Sequence, residues 1–166
     1  MPEEVTIRDL RPDDDVECIV AIALAAWEPI WAHLAGKIGE ELFAVTHPDV
    51  RADKARRIRA ACDPTEGSGA AVAEIDGKIV GFVTYFAGVQ PGMGSLGNNA
   101  VHPDFHGRGI AGLLYAHAFD RLRAAGMQVV HVQTGLDPAH APARRAYEKA
   151  GFDVVGFESV NYYRRL

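Results

Sequence analysis

At 166 residues, with 48% apolar and 23% charged side chains, the chain has the composition of an ordinary globular protein and the length for one sizeable core, read as one domain over 1–166. A net charge of −5 offers no field to draw in nucleic acid, and no run of roughly eighteen apolar residues suggests a membrane span. Cys18 and Cys62 form no metal pattern and are expected as buried thiols in a reducing cytoplasm, while the acidic start Met1-Pro2-Glu3-Glu4 lacks an apolar signal core.

Val5-Thr6-Ile7-Arg8 alternates like a strand. Pro12 and Asp13-Asp14-Asp15 then open a helix with acidic groups at its N-terminus. Val16, Ile19, Val20, Ala23, Leu24, Trp27, Trp31 and Leu34 share one apolar face, and Pro29 is expected to kink or break it near Glu28. Leu42, Phe43 and Val45 suit a short helix ended by His47-Pro48. A third helix is expected over 50–62, capped by Asp49, with its many charges on a solvated face. After a loop at Pro64–Gly69, Ala70–Ile75 and Lys78–Phe86 flank Asp76-Gly77, a two-residue hairpin signal.

Gly88 to Gly94, with Pro91, connects to a further strand ending at Val101. From Ile110 the apolar residues fall at 110, 113, 114, 118, 122 and 125, the spacing of a helix over 109–125 stopped by Gly126. Val129–Gln133 is expected as a buried strand. Pro142 fits the first turn of a helix over about 141–150, whose shared face is Ala143, Ala146, Tyr147 and Ala150 and whose stop is Gly151. Two short strands are expected from Phe152 onward. Strands followed by strand–helix–strand–helix argue an α/β (α+β) mixed sheet with helices on both faces.

The chemistry centres on the passage from Asn98 to Leu114. A strand breaks at Pro103, crosses a loop with Gly107, Arg108 and Gly109, and enters a helix at Ile110. Free backbone N–H groups and the positive end of the helix dipole meet there, and glycines at 107, 109 and 112 let a bulky anion come close. The physical reading is a pyrophosphate cradle. It matches neither the dinucleotide fingerprint nor the Gly-Lys-Ser/Thr of a nucleotide loop.

Val101-x-Pro103, then His106-Gly107-Arg108-Gly109-Ile110-Ala111 and Leu113-Leu114, resembles the acyl-CoA motif of the GNAT superfamily of N-acetyltransferases, Arg/Gln-x-x-Gly-x-Gly/Ala after a Val-x-Pro strand end. His140-x-x-Ala143-x-x-x-Tyr147-Glu148-Lys149-x-Gly151-Phe152 resembles the second signature of that family. His106 and His140 depart from the usual Arg/Gln and Asn, the loop Leu136–Ala139 looks longer than usual, and Asn98 and Asn99 stand where many relatives carry a carboxylate.

The resemblance implies the GNAT acyl-CoA N-acyltransferase fold, acetyl-CoA as cosubstrate, an amine acceptor and a homodimer. It implies that the loop from His106 to Gly112 holds the CoA phosphates, that Asn99, Ala100 and Val101 lie along the pantetheine arm, and that His140 and Ala143 contact the coenzyme. It also makes Tyr147 the acid for the leaving thiolate: a phenol, at a pKa of about 10 against about 8.5 for a thiol, can reprotonate sulfur without first being ionised. An ammonium near 10.4 must lose its proton before attack. Candidates to take it are Glu28, Glu66, Asp104, His131 and Glu158, or no dedicated base in a desolvated site. Trp27, Trp31 and Phe43 are expected near the acceptor end. His102 and His106 are four apart, but Pro103 and Gly107 argue against a helical metal pair and no carboxylate–His set completes a metal site. The alternative is a non-catalytic, CoA-binding or CoA-sensing relative.

Overall fold

The computed structural model describes residues 4–14, 16–153, 156 and 162–164; most of the region where two C-terminal strands were expected, and Glu158, lie outside the described residues. Five strands form one sheet in the order β1 (Thr6–Asp9), β2 (Gly69–Ile75), β3 (Lys78–Gln90), β4 (Met93–Val101) and β5 (Val129–His131). Neighbours are antiparallel except β4 and β5, which run parallel. A parallel neighbour requires a crossover, and α4 (Ile110–Ala124) supplies it.

The β2–β3 turn forms where Asp-Gly predicts it. Asp76 and Gly77 take φ of 49° and 74°, the paired positive angles of a type I′ turn. The expected 88–94 connection is instead a second hairpin: β3 runs on to Gln90, which pairs with Met93 across Pro91-Gly92. The ladder is interrupted between Phe86 and Gln90, so the glycine at 88 marks an irregularity inside a strand rather than its end.

Alternation on the strands divides the core in two. Ala70, Val72 and Phe82 face α1 (Val16–Ile38) and α3 (Val50–Cys62), meeting Ile19, Ala23 and Ile58. Ala71, Ala73, Val83 and Tyr85 face α4 and α5 (Ala141–Lys149), meeting Ile110, Leu114, Tyr115 and Tyr147. The short α2 (Glu40–Thr46) ends before His47-Pro48, as expected.

Several expectations are corrected. α1 does not break at Pro29 but continues to Ile38. Proline removes only its own bond to Ala25, and both residues line an open cleft where that carbonyl can be solvated. Buried Ile19, Val20, Ile22 and Ala23 on one side and Trp31 and Ala35 on the other hold both halves in register. This helix is also long and apolar enough to cross a membrane by length and composition alone, with mean hydropathy 1.6 over its best window; here its apolar face packs on the sheet.

Asp49 precedes α3 without a side-chain cap bond. On α4, Leu113 is 48% exposed and Tyr115 takes the buried place beside Ile110, Leu114, Ala118 and Leu122. β5 is three residues long and largely exposed, not a buried strand, because among the described residues it has a neighbour on one side only.

Candidate active site

β4 and β5 pair only over Met93–Ser95 with Val129–His131, then part. The reason lies beyond β5. Asp137 accepts from the Ala139 N–H at 2.9 Å, and the Arg144 guanidinium on α5 donates to the carbonyls of Gly135 at 2.5 Å and Asp137 at 2.9 Å. That clamp folds residues 135–140 against α5 rather than onto β4. The opening is a cleft of about 1260 Å³. Its walls are Leu96–Val101 and residues 131, 133 and 134; the head of α4 closes one part, α1 and Arg57 another, and α5 contributes Ala143, Ala146 and Tyr147.

At the head of α4, Gly107 and Gly109 have φ of 76° and 77°, and a Cβ on either would meet nothing within 4 Å. The backbone there is therefore both left-handed and open. The first bond into the helix is Leu113 N–H to Gly109 O at 3.4 Å, so the amides of 110–112 have no acceptor within α4. Donors without partners among the described residues, at the positive end of a 15-residue helix, suit a diphosphate in charge and shape. Gly107, Gly109, Ile110 and Ala111 line the cleft; Arg108 and Gly112 do not. The Arg108 guanidinium lies 4.8 Å over the Phe105 ring. His106 lines the cleft, and its Nε2 is 2.8 Å from the Val101 carbonyl. A carbonyl only accepts, so Nε2 carries a proton and ties the loop to the end of β4. His102 turns away, its Nδ1 accepting from the Asp104 N–H at 3.3 Å.

Successive residues of β4 point to opposite faces, and Asn98 and Asn99 split accordingly. Asn99 joins two tyrosines. Its Nδ2 donates to the Gly97 carbonyl at 3.2 Å and to the Tyr147 hydroxyl at 2.8 Å. Its Oδ1 accepts from the Tyr115 hydroxyl at 2.7 Å. The Gly97 carbonyl, an acceptor only, sets which way the amide faces. Tyr147 thus accepts from Asn99 and, among the described residues, donates to none. Its ring stacks on Tyr115 with centroids 5.4 Å apart. Burial raises the Tyr147 phenol above its ordinary pKa, against the Asn99 hydrogen bond and the neighbouring Tyr115 hydroxyl, which favour the anion; burial also raises Tyr115. Both are neutral phenols at physiological pH.

His140 lines the cleft with Nδ1 2.6 Å from Asp137 Oδ2. Burial opposes the Asp137 charge, but His140 and two backbone amides outweigh it and hold the carboxyl below its usual range. A charged Asp137 fixes the His140 proton on Nδ1 and leaves Nε2 for other contacts. Of the described residues proposed to take the amine proton, His131 lines the cleft and Glu28, Glu66 and Asp104 do not; Glu28 pairs with Arg51. Trp27 lines the cleft, Trp31 is buried, and Phe43 stacks on His47. On the other face of β4, Lys54 Nζ donates to Asn98 Oδ1 at 2.6 Å and sits 3.3 Å from the Trp27 ring centroid. Burial, then the charge of Arg57, lowers its pKa to about 7.

Sequence reasoning missed Tyr115 and Lys54. For Tyr115 a signal existed, since it lies four residues after Ala111 and three before Ala118 on α4. For Lys54 there was none, because its partners come from α1 and β4.

A sheet splayed between two parallel strands, with a glycine-opened helix terminus at the splay, is the architecture of an acyl-CoA acyltransferase. The profile of the acetyltransferase (GNAT) family matches residues 27–152, and the chain belongs to that family. An acetyltransferase of Pectobacterium atrosepticum is 37% identical over 84 residues, 51% of this chain and 57% of that protein; the match spans little more than half of that relative. Solved structures share the fold. An N-acetyltransferase of Thermoplasma acidophilum in complex with coenzyme A superposes with a TM-score of 0.68 at 17% identity, covering 93% of each chain. A GNAT family acetyltransferase of Brucella melitensis in complex with acetyl-CoA gives 0.59 at 24% identity, covering 92% of this chain and 84% of that one.

Proposed function

We propose that this protein transfers the acetyl group of acetyl-CoA to a primary amine by direct attack, with Tyr147 as the acid. The observation that carries the reading is the Tyr147 hydroxyl in the cleft wall, fixed by Asn99 at 2.8 Å with its own proton uncommitted among the described residues. The acyl-CoA diphosphate would rest on the amides from Gly107 to Ala111, and the pantetheine arm along Asn99–Val101, with His140 Nε2 and Ala143 against it. A backbone N–H near Val101 would meet the thioester oxygen. The neutral amine nitrogen bonds to the carbonyl carbon, the carbon–sulfur bond breaks, and sulfur takes the Tyr147 proton. Desolvation in the cleft lowers the amine pKa, and His131 is the described candidate to receive its proton.

We place the reaction in the cytoplasm, which supplies acetyl-CoA. Incubation with acetyl-CoA and a broad amine panel should release thiol faster than hydrolysis does; hydrolytic release alone would favour a CoA-binding protein without catalysis. Tyr147→Phe should lower kcat roughly a hundredfold and leave acetyl-CoA affinity within about twofold. An unchanged kcat removes Tyr147 from the chemistry.

A further inference from the structure

We propose that Arg57, with Lys54 behind it, forms a subsite for an anionic group, carboxylate or phosphate, carried by the amine acceptor. The inference rests on the transferase reading for its acceptor and on the charge layout of α3 for its chemistry. Four arginines lie on α3. Arg51 pairs with Glu28, Arg56 with Asp53 and Arg59 with Glu17. Arg57 lines the cleft and, among the described residues, forms no ion pair or side-chain hydrogen bond. Of the α3 arginines, the one that lines the cleft is thus the one without a counter-charge among the described residues.

Lys54 precedes it by three residues, on the same side of the helix. Its ammonium also has no carboxylate partner among the described residues: it has the Asn98 amide at 2.6 Å and the Trp27 ring at 3.3 Å. Asn98 and Trp27 both line the cleft, so Lys54 stands directly behind its wall. Two neighbouring cations repel, and Arg57 is one reason why Lys54 holds its proton weakly. An anion beside them relieves that repulsion. No Asp or Glu is among the described cleft-lining residues, so a polycation would find no counter-charge there.

The test compares matched amines in the thiol-release assay: glycine with glycinamide, O-phosphoethanolamine with ethanolamine, and spermidine as a polycation. At least one anionic member should exceed its uncharged partner by about tenfold or more in kcat/KM, the factor that one charge-assisted hydrogen bond supplies. Arg57→Ala should close that gap, Arg57→Lys should restore part of it, and acetyl-CoA affinity should stay as in the wild type. Preference for the uncharged partners or spermidine, a gap that survives Arg57→Ala, or acetyl-CoA binding weakened by that variant overturns the subsite. Should no amine release thiol, the transferase reading fails by itself. Calorimetry of O-phosphoethanolamine on the CoA-loaded protein then decides the subsite: binding weakened by Arg57→Ala supports it, and absent or unaltered binding overturns it.

Discussion

Asn99 is the residue on which the proposed chemistry turns, although its side chain reacts with nothing. It spends both amide hydrogens, on Gly97 and Tyr147, and takes the proton of Tyr115. Asn99→Leu should therefore misplace the Tyr147 hydroxyl and lower kcat by roughly tenfold or more, with acetyl-CoA affinity little changed. Tyr115→Phe removes only the outer bond. It should destabilise the fold by about 1–2 kcal/mol, read from denaturant midpoints, and affect kcat less than Asn99→Leu does. Equal losses of kcat in both would mean that the tyrosine pair acts as one unit. Tyr147 was legible because its neighbours, Ala143 through Phe152, form a recognisable run. Asn99 was singled out for its backbone, and its side chain's task stayed hidden. The contacts that define it reach 16 and 48 positions along the chain, and local pattern carries no such information.

At the scale of elements, the head of α4 and the hairpin around Asp76-Gly77 were both readable, for one reason: each depends on backbone angles that glycine tolerates and other residues resist. Gly109, at φ 77°, makes the cradle testable. Gly109→Asp strains the backbone and sets a carboxylate against the expected diphosphate. Acetyl-CoA affinity should fall at least a hundredfold by calorimetry, while the far-ultraviolet dichroism of the fold persists. Unaltered affinity would remove the cradle from that loop. α1 departs from expectation because the rule for proline weighs a helix alone. Here packing on both sides of Pro29 outweighs one lost bond. Apolar alternation predicts a buried strand after α4, but alternation reports a pleat and does not tell how many neighbours cover it.

Across the whole molecule, β1 is anchored by charge as much as by its ladder. Arg8 donates to Asp14 at 2.6 Å and to Glu74 at 2.6 Å. Asp9 accepts from His117 at 2.8 Å and from Arg121 at 3.0 Å. The Arg8 hydrogen bond chiefly holds the Asp14 carboxyl below its ordinary pKa. For Asp9, burial pushes upward and the bonds from His117 and Arg121 more than reverse it. Both carboxyls thus bind protons less readily folded than unfolded. Their stabilisation is present above the unfolded carboxylate pKa, about 4, and is lost as pH falls through the lower native values. Denaturant midpoints should drop as pH is taken from about 5 to about 2, and Arg8→Met should make that drop shallower. A slope that Arg8→Met leaves unchanged would assign the acid sensitivity to other groups. Sequence pattern marks none of these pairs: the partners of Asp9 lie 108 and 112 positions away, and Arg8 meets Asp14 across a connection, where no helix or strand period applies.

From Leu96 to Val101 one flank of β4 has no strand beside it among the described residues. Among the described residues, side chains rather than a strand reach its peptide groups, His106 at the Val101 carbonyl and Asn99 at the Gly97 carbonyl. A linear guest bearing amides can take the vacant lane and extend the ladder by one strand that is not protein. On the proposed function the cargo would finish the β-structure of this molecule, and its departure would leave a seam open.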